Sequence, residues 1–182
     1  MLPLDSPRWK SFSTYFGTPE EVPQRLLSWR RSIGGPHEES EWTDLWEQFL
    51  HQCTITDAAY ATLPHVVHEL HRVEPLNRFD YLVELALIES ARQTGGASPV
   101  LPHDLAESYY AAIRDARQMA VELLSLDWPK IEFRYLMSIL ASLHGHAGLG
   151  DLIFNLDRLC GKCPKCGEFV YPDRIQDSGY IK

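Results

Sequence analysis

Cys160, Cys163 and Cys166 fall within seven residues, in the run Cys160-Gly161-Lys162-Cys163-Pro164-Lys165-Cys166-Gly167. Two thiolates three positions apart can share one tetrahedral ion, and a glycine after the second lets backbone N–H groups turn toward the sulfurs. Lys162 and Lys165 favour thiolates over thiols. The C-P-x-C-G spacing therefore has the shape of a zinc knuckle. No separate second C-x2-C pair exists, so Cys160 is the candidate third ligand and His146, or its neighbour His144, the fourth. The alternatives are a knuckle that binds no metal and a ferredoxin-type cluster, which shares the C-x2-C-x2-C opening but lacks its fourth cysteine where that pattern wants it.

The histidines offer less. His68-Glu69-Leu70-His71 brings its second histidine one residue too early for the H-E-x-x-H metalloprotease spacing. His65, His68, Glu69 and Arg72 could share a helix face, which an ordinary polar face explains as well. His51 follows a helix end and reads as a cap or loop hydrogen-bonder. No G-x-G-x-x-G, Walker loop or G-x-S-x-G elbow is present. These absences favour a binding module over an enzyme; a metal-dependent enzyme using the cysteines and histidines is the third reading.

A second constellation is electrostatic. Between Ser32 and His71 there is no Lys or Arg, while Glu38, Glu39, Glu41, Asp44, Glu47, Asp57 and Glu69 give that stretch a charge of −7, nearly the whole net charge of −8. Within it, Glu38, Glu39, Glu41, Asp44 and Glu47 interleave with Trp42 and Trp46. One explanation is a solvated helix start, with acids favoured by the helix dipole and tryptophans facing the core. The other is a docking surface for a cationic protein, with Trp42 or Trp46 as anchor where exposed. An acidic chain is a poor general ligand for nucleic acid.

The elements carrying these residues read as helical almost throughout. Trp42, Leu45, Trp46, Phe49 and Leu50 recur at helical spacing behind Ser40, a candidate N-cap. Phe79, Leu82, Val83, Ala86 and Leu87 repeat it, as do Leu149, Leu152, Ile153 and Leu156. The longest run, Pro102 to about Ser125, places Leu105, Tyr109, Ala112, Ile113, Ala116, Ala120 and Leu123 on one side. Thr18-Pro19-Glu20-Glu21 opens an early helix that Ser32-Ile33-Gly34-Gly35-Pro36 ends. Asp127 is a candidate N-cap, and Pro64 should kink or split the helix from about Thr56 to Val73. Only Glu168–Tyr171 suggests a strand.

The expected fold is all-α, a HEAT-like array of antiparallel helical hairpins over residues 1–158, with a Cys-rich tail over 159–182. Segments starting near Asp57 and His103 lie 46 residues apart, and those near Arg78 and Lys130 lie 52 apart. Both are close to the roughly 40–47-residue HEAT and armadillo unit. An irregular helical bundle is the alternative. With 182 residues, 45% apolar and 23% charged, the chain can bury a core. No apolar run reaches the roughly 20 residues of a membrane helix, and the amino terminus has no signal-peptide pattern. The reading is a cytoplasmic protein.

The middle of the chain also resembles a known family. Trp42-Thr43-Asp44-Leu45-Trp46, Leu50-His51-Gln52-Cys53-Thr54-Ile55 and Ala58-Ala59-Tyr60-Ala61-Thr62-Leu63-Pro64-His65-Val66 resemble, over about 25 residues, bacterial HEAT-like helical proteins. Leu143-His144-Gly145-His146 and the C-P-x-C-G tail are similar to that family's carboxyl end. Cys53 stands where the family pattern has Gly, and Ile55-Thr56 replaces Val-Tyr. Several helical-repeat relatives are immunity proteins that neutralise toxins delivered between bacteria. The resemblance therefore implies a toxin-binding role, with a nuclease among the candidate partners. A scaffold or adaptor unrelated to toxins is the competing expectation.

Overall fold

The computed structural model describes residues 1–36, 38–51, 54–95 and 98–156, together with the backbone of 161–162 and 169–170. The fold is all-α. Among the described residues, seven helices are present: α1 (Val22–Ser32), α2 (Glu38–Trp46), α3 (Ala58–Leu70), α4 (Phe79–Thr94), α5 (His103–Glu122), α6 (Lys130–Leu143) and α7 (Ala147–Phe154). Two hairpins of two-residue strands complete it, β1 (Leu50–His51) with β2 (Thr54–Ile55) and β3 (Gly161–Lys162) with β4 (Phe169–Val170), both antiparallel. The strand expected at Glu168–Tyr171 is present as β4. Cys160, Cys163, Cys166 and the expected boundary at 158/159 lie outside the described residues.

The helices follow the apolar spacing closely. In α1, Val22, Leu26 and Trp29 recur over two turns and are buried. In α5, Leu105, Tyr109, Ala112, Ile113, Ala116, Met119 and Ala120 form one buried stripe. Gly95, at φ +76°, ends α4 in a conformation that a side chain resists. No helix among the described residues is long and apolar enough to cross a membrane.

Four local expectations need correction. Ser40 lies inside α2, which begins two residues earlier at Glu38. Asp127 is not the cap of α6, because Pro129 occupies that position. Of the kink or split expected at Pro64, the split is absent, and Pro64 sits within a continuous α3. Its ring is buried with the rest of the α3 core face, and that packing outweighs the missing N–H bond. The β1–β2 hairpin was not expected either, since two residues per strand are too few to display an alternation.

Packing links helices two apart in the chain. α3 lies along α5 and α4 along α6, while α1 packs on both α2 and α3, and α7 on α6 and α4. The core between them contains Trp9, Trp29, Tyr60, Tyr109, Leu45 and Phe49.

A buried polar network joins four helices. Glu89, only 2% exposed, accepts the Tyr109 hydroxyl at 2.8 Å and the Arg92 guanidinium at 2.7 and 2.8 Å. Gln93 donates to Glu89 at 2.9 Å and to the Ser142 carbonyl at 2.9 Å, and accepts the Ala147 N–H at 3.1 Å. Burial, reinforced by Glu89, holds the Tyr109 hydroxyl far above the usual phenol range, so it stays a donor.

The α6–α7 contact depends on a missing side chain. Ser138 Oγ donates to the Gly150 carbonyl at 2.7 Å. A Cβ at Gly150 would stand 2.0 Å from Ser142 Oγ and 3.0 Å from the Ser138 carbonyl oxygen. The hydroxyl can rotate away, but the backbone oxygen cannot. Gly150→Ala is therefore expected to destabilise the protein by about 1–2 kcal/mol, despite the better helix propensity of alanine, read as a lower urea midpoint.

Candidate functional site

The acidic helix α2 is anchored by its first residue. Glu38 accepts the Gly34 N–H at 2.6 Å through Oε2 and the Tyr81 hydroxyl through Oε1. One turn later Trp42 enters the core at 7% exposure, with its ring 4.7 Å from Tyr81 in a T-shaped contact. Trp29 and Trp46 flank it at 5.1 and 6.0 Å. Trp29 Nε1 in turn donates to the Tyr81 oxygen at 3.4 Å. The tryptophan spacing of α2 thus builds an aromatic wall that joins α2 to α4.

Opposite this wall, the first two turns of α4 carry Asp80, Tyr81 and Glu84. Between the helices lies an open cleft of about 570 Å³, lined by Glu38, Glu39, Trp42, Asp80, Tyr81 and Glu84 among others. Four of these are carboxylic acids. Among the described residues, no Lys, Arg or His lines the cleft.

Glu84 is the anomalous member. Its Oε2 is closed off from solvent and has no hydrogen-bond partner, and the same is true of Trp42 Nε1. Burial pushes the Glu84 carboxyl up from 4.5 to about 8; the neighbouring Trp42 N–H draws it back without completing a hydrogen bond, and Asp80 adds a further upward push. Tyr81 is held above the usual phenol range, mainly by burial and then by its bond to Glu38.

The residues expected on a partner-facing surface divide into three groups. Glu38, Glu39 and Trp42 line the cleft. Trp42 is not the exposed anchor it could have been, because it is closed in by Trp29, Tyr81 and Trp46. Trp46 is half-buried, packed edge-on against Phe49 at 6.2 Å. Glu41, Asp44 and Glu47 lie outside the cleft lining. Asp44 has a loose ion pair with Arg25 at 3.9 Å. Glu39, Glu41 and Glu47 form no ion pair among the described residues.

The rest of the acidic stretch is consumed by the fold. Glu69 is buried and paired with Arg30 at 3.0 Å and Arg72 at 2.8 Å. Asp57 accepts the backbone N–H and hydroxyl of Ser13 at 2.6 and 2.7 Å. What the fold leaves of that stretch without an ion pair among the described residues therefore includes Glu39, Glu41 and Glu47. Sequence spacing missed Asp80, Tyr81 and Glu84, which read as the opening of an amphipathic helix. One signal was available: Asp80 and Glu84 are like charges at i, i+4, an arrangement that costs helix stability unless something else uses it.

Among the described residues, the histidines do not assemble a site. His65 points its Nε2 at the Leu2 carbonyl, 2.7 Å away, and burial holds it below its usual value, so it is neutral. His71 lies 3.8 Å from Asp115 on the surface. His51 is part of β1, between the rings of Tyr15 and Phe16. His146 precedes α7 and is exposed. Among the described residues, no group of three or more His, Cys, Asp or Glu side chains is placed to hold a metal ion; the cysteines proposed as its partners lie outside that set.

No family model, curated protein or solved structure matches the chain.

Proposed function

We propose that this protein is a non-enzymatic binding module that receives a cationic protein on α2 and the cleft beside it. The observation that carries the reading is a cleft holding four carboxylic acids that no Lys, Arg or His lines among the described residues, beside the Trp42–Tyr81 contact. Unneutralised like charges cost a free protein stability and speed its encounter with a positive partner. The resemblance of Trp42–Val66 to bacterial HEAT-like proteins narrows the role to an immunity protein in the cytoplasm. It would bind and neutralise a basic toxin domain such as a nuclease. The packing of α3 on α5 and of α4 on α6 supports a stacked-hairpin frame for that task. The tail cysteines, with His146, would hold a structural zinc.

The test is direct. An immunity gene adjoins its toxin gene, so the neighbouring product is the partner to assay. Glu39→Lys, Glu41→Lys and Glu47→Lys together should weaken that complex by about tenfold or more, and the wild-type affinity should fall as salt rises. Unchanged affinity in the triple variant would reject this surface. Circular dichroism on the variant separates lost binding from lost folding.

A further inference from the structure

We infer that the cleft between α2 and α4 is a receptor for one guanidinium group, an arginine side chain presented by the partner. This deepens the binding role proposed above and rests on it only for the source of the arginine.

Three observations converge on that ligand. The cleft gathers Glu38, Glu39, Asp80 and Glu84 with no cation lining it among the described residues. Trp42 and Tyr81 close its inner end with two ring systems at 4.7 Å, Trp42 being only 7% exposed. Two polar atoms there have no partner, the acceptor Glu84 Oε2 and the donor Trp42 Nε1. Oε2 is closed off from solvent, so a guanidinium would meet the other Glu84 oxygen and resolve both orphans indirectly, by ionising the carboxyl. Its planar N–H fork meets carboxylate oxygens pairwise and is weakly enough hydrated to leave water cheaply. Once Glu84 is ionised by that contact, its second oxygen becomes the stronger acceptor that the Trp42 N–H lacks. A metal ion is the poorer fit, because no three carboxylates among the described residues converge to hold one. The volume of about 570 Å³ admits the aliphatic stem as well as the head.

The experiment uses the full chain, uniformly 15N-labelled, titrated with N-acetyl-arginine amide, N-acetyl-lysine amide and N-acetyl-citrulline amide. The readout is the Trp42 indole N–H cross-peak, assigned as the peak missing from Trp42→Phe or, should that variant not fold, through its proximity to the Tyr81 ring protons. Arginine is expected to shift this peak saturably. Citrulline, its uncharged isostere, should bind about tenfold or more weakly, and lysine should fall between them. Glu84→Gln should cost arginine about tenfold while leaving the other four indole peaks in place. Arginine should bind more tightly at pH 8.5 than at pH 6, because the complex requires ionised Glu84; Glu38, Glu39, Asp80 and Tyr81 are the other titratable groups facing it.

An immobile peak with arginine, equal shifts with citrulline, lysine binding as tightly as arginine, or an unaffected Glu84→Gln would each overturn the assignment. The outcome is separable from that of the binding role. If arginine fails while the α2 charge reversal still releases the partner, the cleft assignment falls and the role stands. If arginine binds while charge reversal has no effect, the reverse holds.

Discussion

Glu84→Gln should make the protein more stable by about 2–3 kcal/mol at pH 8.5 and leave it nearly unchanged at pH 5. The folded chain keeps its proton on Glu84 up to about pH 8, whereas the unfolded chain releases it near 4.5. Between those values the native state binds the extra proton, so stability is fully present below about 4.5 and drains away as pH rises through 8. The magnitude is smaller than full desolvation would give, since the side chain meets solvent on one side. Glutamine has nearly the same shape and never ionises. Urea is the denaturant to use, because guanidinium would itself compete for the cleft. Wild-type and variant midpoints that run parallel from pH 5 to 8.5 would show that Glu84 ionises freely in the native state. A residue that lowers stability at neutral pH in a cleft of like charge is what a binding site, and not a frame, retains.

The second large effect concerns the opposite kind of buried glutamate. Glu89→Ala is expected to cost about 3–5 kcal/mol, because it strands the Arg92 guanidinium, the Tyr109 hydroxyl and one Gln93 hydrogen bond in the interior. The urea midpoint should fall with an unchanged slope. Glu89→Gln should lose less, since it retains an acceptor for the tyrosine. A loss under 1 kcal/mol in the alanine variant would mean that water or rearrangement replaces the network. Glu89 and Glu84 are five residues apart on one helix. Every oxygen of Glu89 is used, and one oxygen of Glu84 is not. Burial alone therefore does not distinguish these two glutamates; their hydrogen-bond partners do.

The helices were legible because each carries its apolar residues at a period near 3.6, as Leu105–Leu123 does over five turns. The breakers were legible for the same chemical reason, Gly95 and the Ser32–Pro36 run among them. Local identities of caps were not. α2 opens at Glu38, two residues before Ser40, where the Glu38 carboxylate reaches both Gly34 and Tyr81. The α2 half of the cleft stood out as acids without bases. Its α4 half did not, because the meeting of Trp42 with Tyr81 and Glu84 spans about 40 residues and leaves no periodic trace. Burial of Trp42 was likewise undecidable from spacing, since a tryptophan on an apolar stripe can close a core or cap a surface. The division of the seven acids between α2 and the interior, with Glu69 taken by two arginines, could be seen only once α1 and α3 lay together.

One feature of the packing bears on how selectivity can change. α2 is fastened chiefly to α1, and it reaches the α3–α6 stack mainly through Glu38 and the Trp42–Tyr81 contact. Outward residues of α2 can therefore be exchanged freely without loosening the body behind them. Under the proposed binding role, descendants of such a chain could diverge in which partner they receive while inheriting the same chassis.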